Sequence, residues 1–223
     1  PKEIMKQLKI GIIGSGMIGG TLGKHMARAG HEVMFSSRHP DKLEPLAKEV
    51  GAKTGTIQET GLFGDLILLA IPFGGIPDLA TELGLLKGKI IIDATNPFPK
   101  RDGEFGKKVA EDPVTSSSEV VHLHFPDCKV VKAFNSTYYK SLETEAFKEG
   151  DDRLAVQVAG DDEAPKDIVK ELINTLGYAP QDLGRLANGK ITEPGEPFFN
   201  KNLKIKEAEK LYQKLEKFNK DER

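Results

Sequence analysis

Short apolar runs recur along the chain, and polar or amphipathic stretches separate them. The runs "DLILLAI" (65–71) and "KIIIDAT" (89–95) are almost continuously apolar, which is typical of strands that helices cover on both faces of a parallel sheet. Further runs of strand length are "LKIGIIG" (8–14), "HEVMFS" (31–36), "KVVKAF" (129–134), "RLAVQVAG" (153–160) and the short "QDLG" (181–184). This pattern predicts a sheet of several buried strands.

The stretches between these runs have the spacing of amphipathic helices. "GGTLGKHMARAG" (19–30) ends in glycine, and "PDKLEPLAKEVG" (40–51) opens with proline and aspartate and also ends in glycine. In "EAPKDIVKELINTLG" (163–177) apolar side chains recur at helical intervals. Strands that alternate with helices predict an α/β fold: a doubly wound, Rossmann-type, mostly parallel sheet with right-handed crossovers.

The pattern of apolar and polar residues changes after about residue 185. "NGKITEPGEPFFNKN" has the prolines and glycines of a loop, and the amphipathic "IKEAEKLYQKLEKF" (205–218) follows it. We therefore predict a nucleotide-binding domain over 1–187 and a C-terminal loop and helix over 188–223. One face of that helix is apolar and consists of Ile205, Ala208, Leu211, Leu215 and Phe218. Packing of this face on its own domain is the favoured interpretation, and a homodimer contact is the alternative.

Composition excludes several classes of function. The 223 residues carry a formal net charge of -2, whereas a nucleic-acid-binding protein normally shows a basic excess. The single cysteine excludes an internal disulfide and suits a reducing compartment, and no Cys/His spacing indicates a metal site. The N-terminus is polar, unlike a signal peptide, and no apolar run approaches the ~20 residues of a membrane helix. The expected location is the cytoplasm, with no nucleic-acid or membrane partner.

A glycine-rich turn follows the first predicted strand. It reads Gly14-Ser15-Gly16-Met17-Ile18-Gly19, opens a helix, and lies in a unit of about 30 residues with a second strand, as a dinucleotide-binding turn should. The first glycine permits the turn, the second lets the backbone approach a pyrophosphate, and the third lets the helix pack close to the strand. These six residues are predicted to bind the cofactor at the helix N-terminus.

The end of the second strand indicates which dinucleotide is bound. Sites for NAD place a carboxylate about 20 residues after the turn, on the ribose 2′-hydroxyl. Here Ser36, Ser37 and Arg38 occupy that place, and no acidic residue lies between Val33 and Pro40. Hydroxyls and a guanidinium bind a 2′-phosphate, which a carboxylate would repel. The predicted cofactor is therefore NADP(H), with Lys42 as a further cation and His39 as a possible stacking partner for adenine.

Loops that follow the later strands are the predicted walls of the substrate site, because ligands bind beyond the carboxyl ends of strands in such sheets. Ala70, Ile71 and Pro72 of the loop "AIPFGGIPD", with Thr95 and Asn96 of "DATNPFPKRDGE", are predicted to contact the cofactor. The predicted lining of the nicotinamide and substrate pocket is Pro72, Phe73, Asn96, Pro97 and Asn135. Ordinary turn formation is the alternative for these residues, since Asn-Pro and Gly-Gly are turn formers.

No side chain is assigned as a catalytic acid, base or nucleophile. The chain shows no nucleophile elbow and no Ser-His-Asp order. His122 and His124 form the best histidine pair, but packing or surface roles are favoured over acid–base catalysis. Asp161, Asp162 and Glu163 precede a predicted helix and are interpreted as N-cap and helix-dipole partners.

Four segments together resemble the NADP oxidoreductase, coenzyme F420-dependent family: "KIGIIGSGMIGGTLGKHMARAGHEVMFSSR", "DATNP", "VVKAFN" and "VAGDDEAPKDIVKELINTLGYAPQDLG". The chain is also similar to the oxidoreductase domain of the STEAP metalloreductases. The resemblance covers roughly residues 8–187 and implies that Ser37 and Arg38 lie in the loop that binds the NADP phosphate. It also implies direct hydride transfer between the nicotinamide and a stacked planar partner, coenzyme F420 or the flavins FMN and FAD, which needs apposition more than an acid or base.

Two other functions stay open. An NADPH-dependent reductase of a small carbonyl or imine would use a similar first domain, but the roughly 35 residues after Asn188 are too few for the helical domain that such enzymes add. A non-catalytic NADP(H)-binding sensor would bind the cofactor without turnover. The fold alone does not decide among the three.

Overall fold

The computed structural model describes residues 5–221, and the predicted absence of a signal peptide therefore concerns a segment that lies partly outside the described residues. Its strands are β1 (Lys9–Ile13), β2 (Glu32–Ser36), β3 (Lys53–Gly55), β4 (Leu66–Leu69), β5 (Ile90–Asp93), β6 (Lys129–Ala133), β7 (Ala155–Gly160) and β8 (Ala179–Asp182). They form one sheet in the order β3-β2-β1-β4-β5-β6-β7-β8. The pairs from β3 to β6 are parallel, so the predicted doubly wound sheet is confirmed.

The sheet reverses direction once. β7 runs antiparallel to β6, with Lys132 opposite Ala159, and β8 then pairs in parallel with β7. This reversal brings the start of β7 to the edge where β6 ends. There the backbone N–H of Ala155 donates to the carbonyl of Leu203, which lies in the C-terminal segment, at 2.9 Å.

Helices cover both faces of the sheet. They are α1 (Met17–Arg28), α2 (Glu44–Val50), α3 (Ile57–Phe63), α4 (Ile76–Leu83), α5 (Gly103–Ala110), α6 (Ser117–His124), α7 (Tyr139–Thr144), α8 (Glu163–Thr175) and α9 (Ile205–Asp221). Alternate residues of β4 supply two separate cores, because Leu66 and Leu68 pack with one and Ile67 and Leu69 with the other. The continuous apolar runs of the sequence therefore have the predicted cause.

Two local predictions need correction. The segment 40–51 begins with a 3-10 turn, Pro40–Leu43, and becomes α-helical only from Glu44. Asp162 holds the predicted N-cap position of α8 and Glu163 lies in the first turn, but Asp162 makes no side-chain capping bond, since its carboxylate faces Lys129 at 3.4 Å. Asp161 also faces away from the helix and accepts the N–H of Leu186 at 3.0 Å.

The apolar face of α9 packs on its own chain. Ala208 is fully buried, and Ile205, Leu211 and Leu215 join a small core with Ala155. Phe218, at the far end of the face, is 63% exposed. The predicted boundary at residue 187 lies inside a 3-10 segment, Leu186–Thr192. Within residues 5–221, none of the helices is long and apolar enough to cross a membrane.

Candidate nucleotide and substrate site

The loops that carry the predicted site residues meet at one edge of the sheet. β1, β2, β4, β5 and β6 are parallel neighbours, so their carboxyl ends point the same way. The order of the strands reverses between β1 and β4, where the chain has crossed to the other half of the sheet. Ligands of open α/β sheets bind in the crevice at such a switch point.

The three positions of the turn are occupied by glycine for different physical reasons. Gly14 has a φ of +96°, and a Cβ there would lie 2.3 Å from the carbonyl oxygen of Ala70. A Cβ at Gly19 would lie 1.8 Å from the carbonyl oxygen of Gly14. A Cβ at Gly16 would meet nothing within 4 Å. The first and third glycines are thus demanded by the protein itself, whereas the second keeps a space open at the surface.

That space lies at the N-terminus of α1. Gly16 is the N-cap, no side chain caps the helix, and no acidic residue lies in its first turn. The free N–H groups of Met17, Ile18 and Gly19 therefore suit an anion, as the predicted pyrophosphate requires. Ser15 faces the neighbouring strand, because its hydroxyl donates to the carbonyl of Ser36 at 2.9 Å.

The predicted phosphate loop divides into a buried and an exposed part. Ser36 is buried, and its hydroxyl donates to the carbonyl of Ile12 at 2.7 Å, so this hydroxyl joins β2 to β1. The Ser37 hydroxyl accepts the N–H of His39 at 3.0 Å and keeps its own proton free for a ligand. Arg38 and Lys42 are exposed, and neither makes an ion pair or side-chain hydrogen bond within the described part of the chain. Two free cations and one free hydroxyl donor fit a 2′-phosphate.

The wall predicted after β4 is only partly available to a ligand. Pro72 is exposed and Ile71 half-buried, but Phe73 is fully buried and stacks on Phe105 with the ring centroids 5.2 Å apart. The Phe73 ring therefore supports the loop from inside. Ala70 contributes its carbonyl oxygen to the close contact with Gly14.

Two predicted residues from different strands are joined directly. The side chain of Asn96 donates to the Asn135 carbonyl at 2.8 Å, and the Asn135 side chain donates to Asn96 Oδ1 at 3.2 Å. Asn135 also donates to Thr192, at 3.1 Å to Oγ1 and 3.2 Å to the carbonyl. Thr95 is turned inward, with its N–H and hydroxyl on Asp93, and Pro97 is buried. The carboxyl ends of β5 and β6 thus present a pair of neutral amides.

A buried carboxylate that the sequence did not indicate joins the loops after β4 and β5. Asp102 accepts the N–H of Phe98 at 2.7 Å and bonds to Arg101 and to the backbone of Gly74. Burial by itself would raise the pKa of Asp102, but these hydrogen bonds outweigh it and hold the pKa below its usual value. Arg101 in turn donates to the Asn96 carbonyl at 2.9 Å. Asp102 therefore stays ionised and keeps the two loops in register.

The histidine pair lies on α6, in its last turn. Residues two apart on a helix point about 200° from each other. His124 is bonded through Nδ1 to the Val120 carbonyl at 3.0 Å and packs edge-on against Phe105. It is the other end of α6 that touches the site, since Ser118 donates to Asp93. The structure therefore does not bring this pair to the amides of Asn96 and Asn135. Among the described residues, no group of three or more His, Cys, Asp or Glu side chains is placed to hold a metal ion.

The fold, the glycine turn and the exposed cations after β2 define a Rossmann-type dinucleotide-binding protein. Residues 9–97 match the model of the family described as NADP oxidoreductase, coenzyme F420-dependent. This match agrees with the resemblance seen in the sequence and supports an NADP-dependent oxidoreductase.

Individual relatives agree with this class. Metalloreductase STEAP3 of Rattus norvegicus is 29% identical over 194 residues, which are 86% of this chain and 36% of the relative. The chain thus spans about a third of the length of the curated relatives it matches. Among solved structures, hypothetical protein SMa0349 from Sinorhizobium meliloti superposes with a TM-score of 0.76 at 29% identity, covering 89% of this chain and 96% of that one. A provisionally assigned F420-dependent NADP reductase from Arthrobacter sp. gives 0.70 at 25% identity, with 82% and 87% covered.

Proposed function

We propose that this protein transfers a hydride directly between NADP(H) and a planar redox partner, a deazaflavin such as coenzyme F420 or a flavin. The observation that carries the proposal is the separation of two kinds of polar group along the carboxyl edge of the sheet. Free cations after β2 suit the phosphate of NADP(H), and neutral amides after β5 and β6 suit its other end. Bound NADPH would supply the hydride, and the chain would supply binding, orientation and exclusion of water.

Ser37, Arg38 and Lys42 are the proposed selectors of NADP(H) over NAD(H). Their free donors match the acceptor oxygens of a 2′-phosphate, and Arg38 offers a bidentate fork. Gly16 would leave room for the pyrophosphate at the start of α1, where Ser15, Met17, Ile18 and Gly19 complete the turn. Gly14 and Ser36 would act beneath the ligand by shaping the turn and holding β2 against β1.

Asn96 and Asn135 are the proposed anchors of the nicotinamide and its partner. After these bonds Asn96 retains one N–H donor and one lone pair, whereas Asn135, whose N–H groups serve Asn96 and Thr192, retains acceptor capacity on Oδ1. Ala70, Ile71 and Pro72 would form the surrounding walls, with the buried Phe73, Thr95 and Pro97 beneath them. Neutral amides of this kind suit hydride transfer between stacked rings, which needs apposition within about 3–3.5 Å.

The test is stopped-flow oxidation of NADPH, with NADH as the control, against a deazaflavin, FMN, FAD, a small imine, a ketone, and a ferric chelate with and without added flavin. The chelate is included because the curated relatives are named metalloreductases. We expect rapid NADPH-selective reduction of the deazaflavin or of one flavin. Reduction of a small imine or ketone alone would favour the carbonyl or imine reductase, and tight NADPH binding without oxidation would favour the sensor. Either result would contradict the proposed class of acceptor.

Three coarser features complete the proposal. The single cysteine, Cys128, is unpaired and buried, which suits action in the cytoplasm. Phe218 at the exposed end of α9 is the proposed contact of a homodimer, which the molar mass from light scattering tests. The division at residue 187 also stays a proposal, and a chain ending there should lose stability because β7 loses its contacts with the C-terminal segment.

A further inference from the structure

Three charged side chains are buried next to the amide pair of Asn96 and Asn135. Asp93 at the end of β5 is 0% exposed, Lys132 on β6 is 1% exposed and Glu193 in the C-terminal segment is 2% exposed. Charged groups at such burial are found only where partners replace the lost water. Glu193 is distant in sequence from the other two, so the C-terminal segment contributes a charge to the interior of the nucleotide-binding fold.

Glu193 binds the N-terminus of α6. One carboxylate oxygen accepts the N–H of Ser117 at 3.1 Å, and the other accepts the Ser116 hydroxyl at 3.0 Å. Lys132 Nζ lies 3.6 Å from the second oxygen. Lys190 Nζ lies 3.5 Å from the first oxygen, so the carboxylate combines two cations, the positive end of a helix and a hydroxyl donor.

The same cluster continues to the strand that carries Asn96. Lys132 donates to the hydroxyls of Ser117 at 2.9 Å and Ser118 at 3.1 Å, and Ser118 donates to Asp93 at 2.5 Å. Asp93 holds the N–H and the hydroxyl of Thr95. The loop after β5 and the C-terminal segment are therefore attached to one buried polar network.

Glu193 also fixes its own neighbour in the chain. Thr192 is buried, donates its hydroxyl to the carbonyl of Gly189 at 2.7 Å and accepts the side-chain amide of Asn135. Because Thr192 and Glu193 are adjacent, the bonds of the carboxylate to α6 restrain the backbone that carries the Thr192 hydroxyl. Asn135 in turn orients Asn96.

A buried ion pair is a poor source of stability, since desolvation of the charges offsets their attraction. A hydrophobic pair of similar volume would hold the segment at least as well, but would fix its rotation and register less sharply. The cluster is therefore better matched to a positional role than to a purely stabilising one.

We infer that Glu193 is a positioning residue of the acceptor pocket: its carboxylate, held by Lys132 and the start of α6, sets Thr192 so that Asn135 and Asn96 keep one orientation. The identity of the pocket rests on the proposed function, whereas the mechanical link does not. The inference gives the C-terminal segment a role in acceptor use that is separate from NADP(H) binding at α1 and Arg38.

The test compares Glu193→Gln with Glu196→Gln, a matched control three residues along the same segment. The glutamine keeps the size and one acceptor oxygen but removes the charge that Lys132 faces. Hydrogen exchange followed by mass spectrometry should show faster exchange in 94–98 and 134–138 as well as in 189–199, with 14–20 unchanged. Faster exchange confined to 189–199 would overturn the inference, since the segment would then be tethered without positioning the amides.

Kinetics separate positioning from general stability. For Glu193→Gln we expect an unchanged Kd for NADPH and a fall in kcat/KM for the acceptor of roughly tenfold to a hundredfold, the scale of lost positioning. An equal loss in affinity for NADPH and in kcat/KM for the acceptor would contradict the inference. If Glu193→Gln does not fold, Thr192→Val removes the hydroxyl that receives Asn135 and should give the same split. If the wild type oxidises NADPH with none of the acceptors, the proposed function fails, and the exchange experiment still decides the link.

Discussion

A Cβ atom at Gly19 would lie 1.8 Å from the carbonyl oxygen of Gly14, whereas one at Gly16 would meet no atom of the protein. The same motif thus contains glycines that the fold needs and a glycine that it does not. This difference separates the effect of a substitution on folding from its effect on the cofactor.

Gly16→Val should fold and lose binding of both NADPH and NADH, because the side chain would fill the space next to the N-terminus of α1. Gly19→Ala should lower the melting temperature, because its methyl group collides with the turn. Fluorescence titration and thermal unfolding measure the two effects. Unchanged affinity in Gly16→Val would dismiss the turn as a pyrophosphate site.

Arg38→Ala should weaken NADPH roughly tenfold to a hundredfold and leave NADH nearly unchanged, because a charge-assisted hydrogen bond to the 2′-phosphate is lost. Dissociation constants of both cofactors, measured as a function of ionic strength, give the result. Arg185→Ala, at another exposed arginine, is the control. Equal weakening of both cofactors would remove Arg38 from the phosphate site.

His124→Ala should leave turnover nearly intact, because His124 is bonded to its own helix and packs on Phe105. Steady-state rates with the preferred acceptor provide the check. A loss on the order of a hundredfold, the scale of general acid–base catalysis, would mean that His124 takes part in the chemistry.

The free energy of unfolding should fall as the pH drops below about 6.5, the ordinary pKa of a histidine side chain. Burial lowers the pKa of His25 and of His31, so the unfolded chain binds protons in this range while the folded chain does not. The two histidines contribute their full stabilisation above their pKa in the unfolded chain. This contribution is lost as the pH falls towards their lower pKa values in the folded protein. Chemical denaturation at pH 7.5 and 5.5 tests this, with His39→Gln, at an exposed histidine, expected to keep the full pH dependence. Equal stability at the two pH values would contradict it.

Cys128 should resist thiol reagents in the folded protein. Burial, with a contribution from Asp127, raises the pKa of its thiol to about 12, so little thiolate exists at neutral pH. Labelling with a chromogenic disulfide should be complete only in denaturant. Rapid labelling of the native protein would show that the interior beneath β6 opens.

Features carried by neighbouring residues could be predicted from the sequence. Buried strands appear as apolar runs because both faces of β4 are covered, and the turn at Gly14 to Gly19 is recognisable because its geometry is local. The half-buried Ser37 and the exposed Arg38 could be located for the same reason, since their place directly after β2 is a matter of chain order. The family resemblance rests on these local segments.

The tertiary structure decided which distant groups meet. The register of β2 beside β1 directs the Ser36 hydroxyl to Ile12 and leaves Ser37 and Arg38 to the solvent. The reversal of β7 brings the C-terminal segment back over the strand ends, where Thr192 meets Asn135 and Glu193 meets Lys132. Hydrophobic periodicity specifies which face of an element is buried, but hydrogen bonds between buried polar groups depend on how the elements are stacked and aligned. For that reason the sequence determined the class of fold and predicted where the nucleotide binds, and only the packed chain determined how the C-terminal segment meets Asn135.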